Sequence, residues 1–274
     1  MILVAFDFGI SNTDIAIFQD NKTSFHSTPS EHKKISNELI KEILDIHSLS
    51  LSEISLIGVT GGKSSDLPEK IDLTPIVKIN EVDAIGFGAK ILYDIAEEST
   101  LVISAGTGTA CVMVQGDNFN HLGGIAVGGG MLEGLGSLLF KNSQGQEINE
   151  FATKGSRDKL DLLIGDVVNK IGTLSPEITA VNFGKAKIAS SDSMENTSAA
   201  LCNMVGEMIG TIAYLNALLI GSSRACFLGR TSHLSEVTKG IDERLELAGI
   251  SGQYNNHREY GNVIGVIEQL KNHG

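Results

Sequence analysis

Tryptophan is absent from this chain, proline occurs four times, cysteine three times, and aromatic residues make up 5% of the whole. Four prolines leave no material for a proline-rich linker, and no low-complexity tract interrupts the sequence. The cysteines, Cys111, Cys202 and Cys226, stand singly in apolar stretches. Their odd number and wide spacing give neither a disulfide framework nor a metal motif, and predict buried reduced thiols. Positive charge is also short, because 21 Lys and Arg face 33 Asp and Glu for a formal net charge of −12. A general nucleic-acid binder would show a basic face, so that class is excluded and an anionic substrate must be met by local donors. No run reaches the ~18 uncharged apolar residues of a membrane helix. The longest candidate, Met204 to Ile220, carries Glu207 and Asn216. The apolar start Met1 to Ala5 meets Asp7 at once and lacks a basic flank, so no secretory signal is visible and a cytoplasmic location is expected.

What is present suits an ordinary globular chain: 274 residues, 42% hydrophobic and 20% charged. That length fits one large domain or two of about 130 residues. Two stretches look like copies of one design. In the first, an apolar strand runs into Asp7-Phe8-Gly9-Ile10-Ser11-Asn12-Thr13 and leaves as a second strand. In the second, the same happens at Ser104-Ala105-Gly106-Thr107-Gly108-Thr109. Glycine permits positive φ and close backbone approach, while turn N–H groups and hydroxyls donate to anionic oxygens. Two such hairpins facing each other would grip one polyphosphate, although any three-stranded meander also needs turn residues.

Between them the pattern alternates. Ile2 to Phe8 reads as a buried strand, a helix carries Ile35, Leu39, Ile43 and Ile46 on one face, and Leu56 to Val59 and Ile76 to Ile79 read as further strands. A helix beginning at Glu81 repeats Val82, Ile85, Ala89, Leu92 and Ala96. Strands alternating with helices predict an α/β fold. The second hairpin restarts the plan, which places a domain boundary near residue 98, with domains 1–98 and 99–274. The second half is more helical: Gly129 to Phe140, Asn196 to Ile220, Ser232 to Ala248 and a closing helix from about Tyr260, with a strand at Ala225 to Leu228.

Three features carry possible chemistry. The cluster Gly123-Gly124 and Gly128-Gly129-Gly130 runs into a helix whose first N–H groups would face an anion, or else forms a tight packed turn. Its spacing fits neither a dinucleotide fingerprint nor a Walker loop. Asp7, at the end of the first strand, is placed either to hold the water shell of a magnesium ion or to stabilise its own turn. Glu81, where a strand delivers the chain to a helix start, is placed to accept a proton from an attacking hydroxyl, and acids also favour the first helical turn for its dipole. Asp83 has the same pair of readings and could itself be the cap.

Asp7-Phe8-Gly9, Thr60-Gly61-Gly62, Glu81-Val82-Asp83-Ala84, Gly106-Thr107-Gly108-Thr109, the glycine cluster ending in Met131, Asn182-Phe183-Gly184 and Leu228-Gly229 together resemble the type II pantothenate kinases in order and spacing. The resemblance spans nearly the whole chain. It implies the fold of acetate and sugar kinases, Hsp70 and actin, which has two duplicated ribonuclease H-like domains around an interdomain nucleotide cleft. It implies transfer of the γ-phosphoryl group of ATP to the 4′-hydroxyl of pantothenate, with Mg²⁺. By that matching Glu81 is the catalytic base and Asp7 organises Mg²⁺ through water. Gly9, Ser11, Asn12, Thr13, Gly106, Thr107, Gly108, Thr109, Gly128, Gly129, Gly130 and Met131 line the nucleotide site, with Gly229 and Thr231 near the adenosine. A homodimer follows from the resemblance alone, as does possible binding of acetyl-coenzyme A or coenzyme A.

Two departures stand out. The family carries an arginine at the pantothenate end, just before the Gly-Gly pair, where this chain has His121 two residues before Gly123. The first hairpin has Ile10-Ser11-Asn12-Thr13 in place of a second glycine and threonine. Competing expectations are therefore a same-fold kinase for another hydroxylated acid, and a degenerate regulator binding nucleotide or coenzyme A. A reductase-activating ATPase would need cysteines paired at a dimer interface around an iron–sulfur cluster.

Overall fold

A computed structural model describes residues 1–30, 33–169, 175–188 and 193–273. The first hairpin seeds the N-terminal sheet. β1 (Ile2–Phe8) pairs antiparallel with β2 (Asn12–Gln19), which pairs with β3 (Lys22–Pro29). After α1 (Asn37–Ile46), capped by the Ser36 hydroxyl, β4 (Ile54–Thr60) lies parallel to β1 on its other side. β5 (Lys70–Ile71) and β6 (Thr74–Lys78) complete the order β3-β2-β1-β4-β6-β5, and α2 (Glu81–Tyr93) follows.

The C-terminal sheet repeats this beginning. β7 (Thr100–Ala105), β8 (Thr109–Gln115) and β9 (Asn118–Ile125) form the meander, and the chain enters α3 (Gly129–Phe140) and α4 (Gly145–Ala152). A small antiparallel pair, β10 (Leu162–Leu163) and β11 (Thr179–Val181), flanks α5 (Ile164–Val167). After α6 (Met194–Ile220), β12 (Arg224–Leu228) lies parallel to β7 as β4 does to β1. With α7 (Ser235–Glu246) and β13 (Ser251–Gln253) the order is β13-β12-β7-β8-β9, before α8 (Gly261–Asn272) closes the described chain.

α6 is long and apolar enough to cross a membrane by length and composition. Its buried side nevertheless forms the middle of the C-terminal core, where Leu201, Val205, Ile209 and Ala213 meet Leu101, Ile103 and Phe227. Its buried Glu207 is held by Arg244 at 2.7 Å. The α8 helix returns to the N-terminal sheet, packing Val263, Val266, Ile267 and Leu270 on Leu3 and Ala5. Its neighbour α2 sets Ile85 and Ala89 against Val102, Val112 and Leu228 of the other sheet. The α2–α8 pair is thus a seam between the sheets, and the cleft opens at one end of it.

Candidate functional site

The two hairpins face each other across a cleft of about 980 Å³. Their tips touch, with Ser11 Oγ and Thr107 Oγ1 2.9 Å apart although 96 residues separate them. Asp7, Gly9, Ser11, Asn12, Glu81, Gly106, Thr107, Gly108, Thr109, Gly129, Gly130, Gly229 and Thr231 all line this space. Thr13 does not, because alternation along β2 turns it to the opposite face, where its hydroxyl bonds Ser30. Gly128, Met131, His121 and Gly123 also lie outside the lining, the last two on β9.

The glycine-rich helix start differs from the expectation that its N–H groups face an anion. Gly129 N–H donates to Gly106 O at 2.8 Å and to Thr231 Oγ1 at 2.9 Å, and Gly130 N–H donates to Thr107 O at 3.1 Å. Thr231 in turn donates to Gly106 O at 2.7 Å. A Cβ at position 128 would sit 2.5 Å from Gly106 O. These contacts brace the second hairpin from behind, and the tight packed turn is what the structure contains.

Glu81 is the first residue of α2, and the helix is capped by Asn80, whose side chain accepts from Val82 N at 2.8 Å. Neither Glu81 nor Asp83 is the cap. The Glu81 carboxylate is exposed in the cleft and makes no hydrogen bond or ion pair to any described residue. Its place in the first turn of α2 suits the helix dipole, but no side-chain contact holds the carboxylate there. Asp83 does not line the cleft.

Asp7 lies at the cleft floor directly opposite Asp14 in the β1–β2 ladder. Asn262 Nδ2 donates to it at 2.9 Å. Burial first, then the Asp14 charge and more weakly Glu81, push its carboxyl up to about 7, against the opposing effects of Asn262 and Arg230. Gly61, at φ +73°, makes room for this group, since a Cβ there would stand 2.3 Å from Asp7 Oδ1. Among the described residues no cluster of three or more His, Cys, Asp or Glu is arranged to hold a metal outright.

Sequence reasoning missed Asp14, Arg230, Glu133 and Asn262, which also line the cleft. Arg230 forks onto Asp14 at 2.8 and 2.5 Å. Glu133, on α3, accepts from Gly145 N at 3.3 Å, and burial raises its pKa. Asp14 was within reach, because a turn that sets Phe8 opposite Thr13 must set Asp7 opposite Asp14. The other three have no local signal. All three cysteines are buried and free, which removes the surface thiols an iron–sulfur cluster would need.

The family model Fumble matches residues 89–239. A type II pantothenate kinase of Oceanobacillus iheyensis is 32% identical over 187 residues, covering 66% of this chain and 69% of that protein. The type II pantothenate kinase of Staphylococcus aureus strain USA300 is 26% identical over 96% of this chain and 98% of its own. Among solved structures, the activator of 2-hydroxyisocaproyl-CoA dehydratase from Clostridium difficile with bound ADPNP superposes over 100% of this chain and 97% of its own, with a TM-score of 0.67 at 12% identity. A glucokinase of the ROK family from Streptomyces griseus, in complex with glucose and AMPPNP, covers 98% and 99% at a TM-score of 0.59 and 12% identity. Both share the two-sheet architecture, and at that identity the likeness is one of fold alone.

Proposed function

Because the chain belongs to the Fumble family, whose relatives here are type II pantothenate kinases, we propose that it transfers the γ-phosphoryl group of ATP to the 4′-hydroxyl of pantothenate. The observation that carries this reading is the pair of glycine hairpins meeting across a cleft with an unengaged carboxylate, Glu81, at its wall. Glu81 accepts the proton of the substrate hydroxyl as its oxygen attacks the γ-phosphorus and ADP leaves, a contribution of roughly 10² to 10⁴. The hairpin backbones and hydroxyls hold the phosphates in line, which phosphoryl transfer requires more than covalent help.

A magnesium ion fits the residues present. Burial, with the Asp14 charge and more weakly Glu81 beside it, pushes Asp7 up to about 7, and a divalent cation would favour its ionised form and relieve the repulsion among the three carboxylates. Asp7 would hold it through water, as suits an ion that keeps much of its hydration. When bound, the ion neutralises charge on the phosphates. Gly129, Gly130, Gly229 and Thr231 form the wall for the nucleoside, and His121 with Gly123 marks the acceptor end by resemblance. A cytoplasmic homodimer, open to coenzyme A or acetyl-coenzyme A, completes the proposal.

His121 keeps a second reading in play, the same chemistry on another hydroxylated acid, since imidazole lacks the planar fork of guanidinium. Both are tested by ADP release with Mg²⁺-ATP and pantothenate beside a panel of hydroxy acids, with Glu81→Gln as control. Pantothenate-dependent release that falls at least a hundredfold in the variant, while ATP binding persists, is expected. Release with another acid alone would select the second reading, and unchanged turnover in the variant would remove Glu81 as base.

A further inference from the structure

The cleft is acidic where its ligand would be anionic. Asp7, Asp14, Glu81, Glu133 and Glu259 line it, against Arg230, Arg258 and His233 among the described residues. Arg258 is held within its own wall, donating to Ser232 Oγ at 3.0 Å, Ser232 O at 2.9 Å and Asn255 O at 2.8 Å. His233 Nε2 pairs with Glu259 at 2.8 Å, and burial together with Arg258 lowers its pKa against the opposing effect of Glu259. Arg230 alone directs its guanidinium to a residue of the opposite hairpin.

That residue is Asp14, 216 positions away and buried. The two carboxylates Asp7 and Asp14 face each other across one rung of the ladder, so the Arg230 guanidinium stands beside the site where the phosphates and their cation would lie. Tyr260 flanks it, with the ring centroid 5.8 Å from Cζ. A guanidinium has five N–H donors, and the fork to Asp14 uses two. The remainder can bind a phosphate oxygen without releasing Asp14.

We propose that Arg230 contacts the polyphosphate of the bound nucleotide and supplies the guanidinium that Arg258, bonded within its own wall, does not turn across the cleft, with Asp14 as the positioning residue that aims it. The inference rests on the kinase reading, and it assigns both residues roles that the glycine motifs did not. Asp14 reaches across from the first hairpin and Arg230 from the loop after β12, so the contact forms only when both walls are in place.

The test is calorimetric binding of adenosine, ADP and a non-hydrolysable ATP analogue with Mg²⁺ to the full chain, beside steady-state kinetics. The variants are Arg230→Gln, Arg230→Lys, Asp14→Asn and the double Asp14→Asn/Arg230→Gln. Arg230→Gln should leave adenosine affinity within about twofold and weaken the triphosphate about ten- to hundredfold, while Arg230→Lys recovers part of the loss as a point charge. Asp14→Asn should show an intermediate loss, larger in kcat than in adenosine affinity. The double variant removes both charges, so Asp14 is not left as a buried carboxylate without its partner, and it should remain as weak toward the triphosphate as Arg230→Gln. Full recovery of triphosphate binding in the double variant would reduce the pair to a strut between domains and overturn the proposal. So would an Arg230→Gln protein with the wild-type increment from adenosine to triphosphate. A wild-type chain that binds no nucleotide would instead overturn the kinase reading on which the proposal stands.

Discussion

Ser11 and Thr107 meet by their hydroxyls at the point where the hairpins face each other, and a nucleotide phosphate entering there would take over both donors. Thr107→Val keeps the methyl group that packs against Gly130 and removes only the hydroxyl. Nucleotide affinity should fall several-fold, about 1 kcal/mol, with the melting temperature nearly unchanged. Calorimetry with the ATP analogue checks it, and unaltered affinity would move the phosphate contact elsewhere. A second residue, Asp161, is fully buried far along the chain from both hairpins, accepting from Phe183 N at 2.8 Å and Asn203 Nδ2 at 3.2 Å. Burial lifts its carboxyl to about 6, against the hydrogen bond from Phe183 and the Arg157 charge. A folded pKa above the unfolded value means that its contribution is full below about pH 4 and is lost as pH rises through about 6. Asp161→Asn should therefore gain on the wild type across that window, by about 3 kcal/mol at most. Denaturant unfolding at pH 4, 5, 6 and 7 reads the difference, and a constant offset between the two proteins would refute the assignment.

Much of each element was legible before the fold. The two meanders, the start of α2 at Glu81 and the span of α3 from Gly129 to Phe140 follow from turn glycines and helical spacing. What the sequence hides is where an element goes afterwards. The last helix, α8, returns to the N-terminal sheet, because its apolar face fits Leu3 and Ala5 as readily as any core nearer in sequence. Asp14 finding Arg230 is hidden for the same reason: ionic partners 216 positions apart leave no local trace. The seam between α2 and α8 turns on glycines. A Cβ at Gly265 would stand 2.0 Å from Ala84 O, and one at Gly88 would stand 1.9 Å from Gly261 O. Backbone cannot yield as a side chain can, so Gly265→Ala should cost 2 kcal/mol or more, near or beyond the usual overpacking range of about 1–3 kcal/mol. Gly134 on exposed α3 has open space around it, and Gly134→Ala should stabilise by about 0.5–1 kcal/mol through helix propensity. Opposite signs in thermal unfolding are expected; equal effects would mean that the helices separate freely.

At the scale of the whole molecule, the exposed side of α6 is unusually apolar. Met208, Leu215, Leu218 and Leu219 recur at helical spacing and are 42 to 75% exposed, and Leu138 and Leu139 at the end of α3 add to the apolar surface. Isolated exposed leucines are ordinary, but several on one helical stripe mark a contact surface. The opposite side of the same helix is filled by the C-terminal core, so the stripe is not covered by this chain among its described residues. A second copy is the occupant that the resemblance implies, and a twofold arrangement would lay α6 against α6, matching like with like. The chain has a mass of 29.1 kDa, so light scattering on a sizing column should return about twice that at micromolar concentration. Leu215→Glu with Leu218→Glu places two charges in the stripe. The variant should elute at the single-chain mass while its circular dichroism stays that of the folded protein, because neither side chain is in the core. A wild-type protein already at the single-chain mass, or a variant that keeps the doubled mass, would show that copies do not meet on this face.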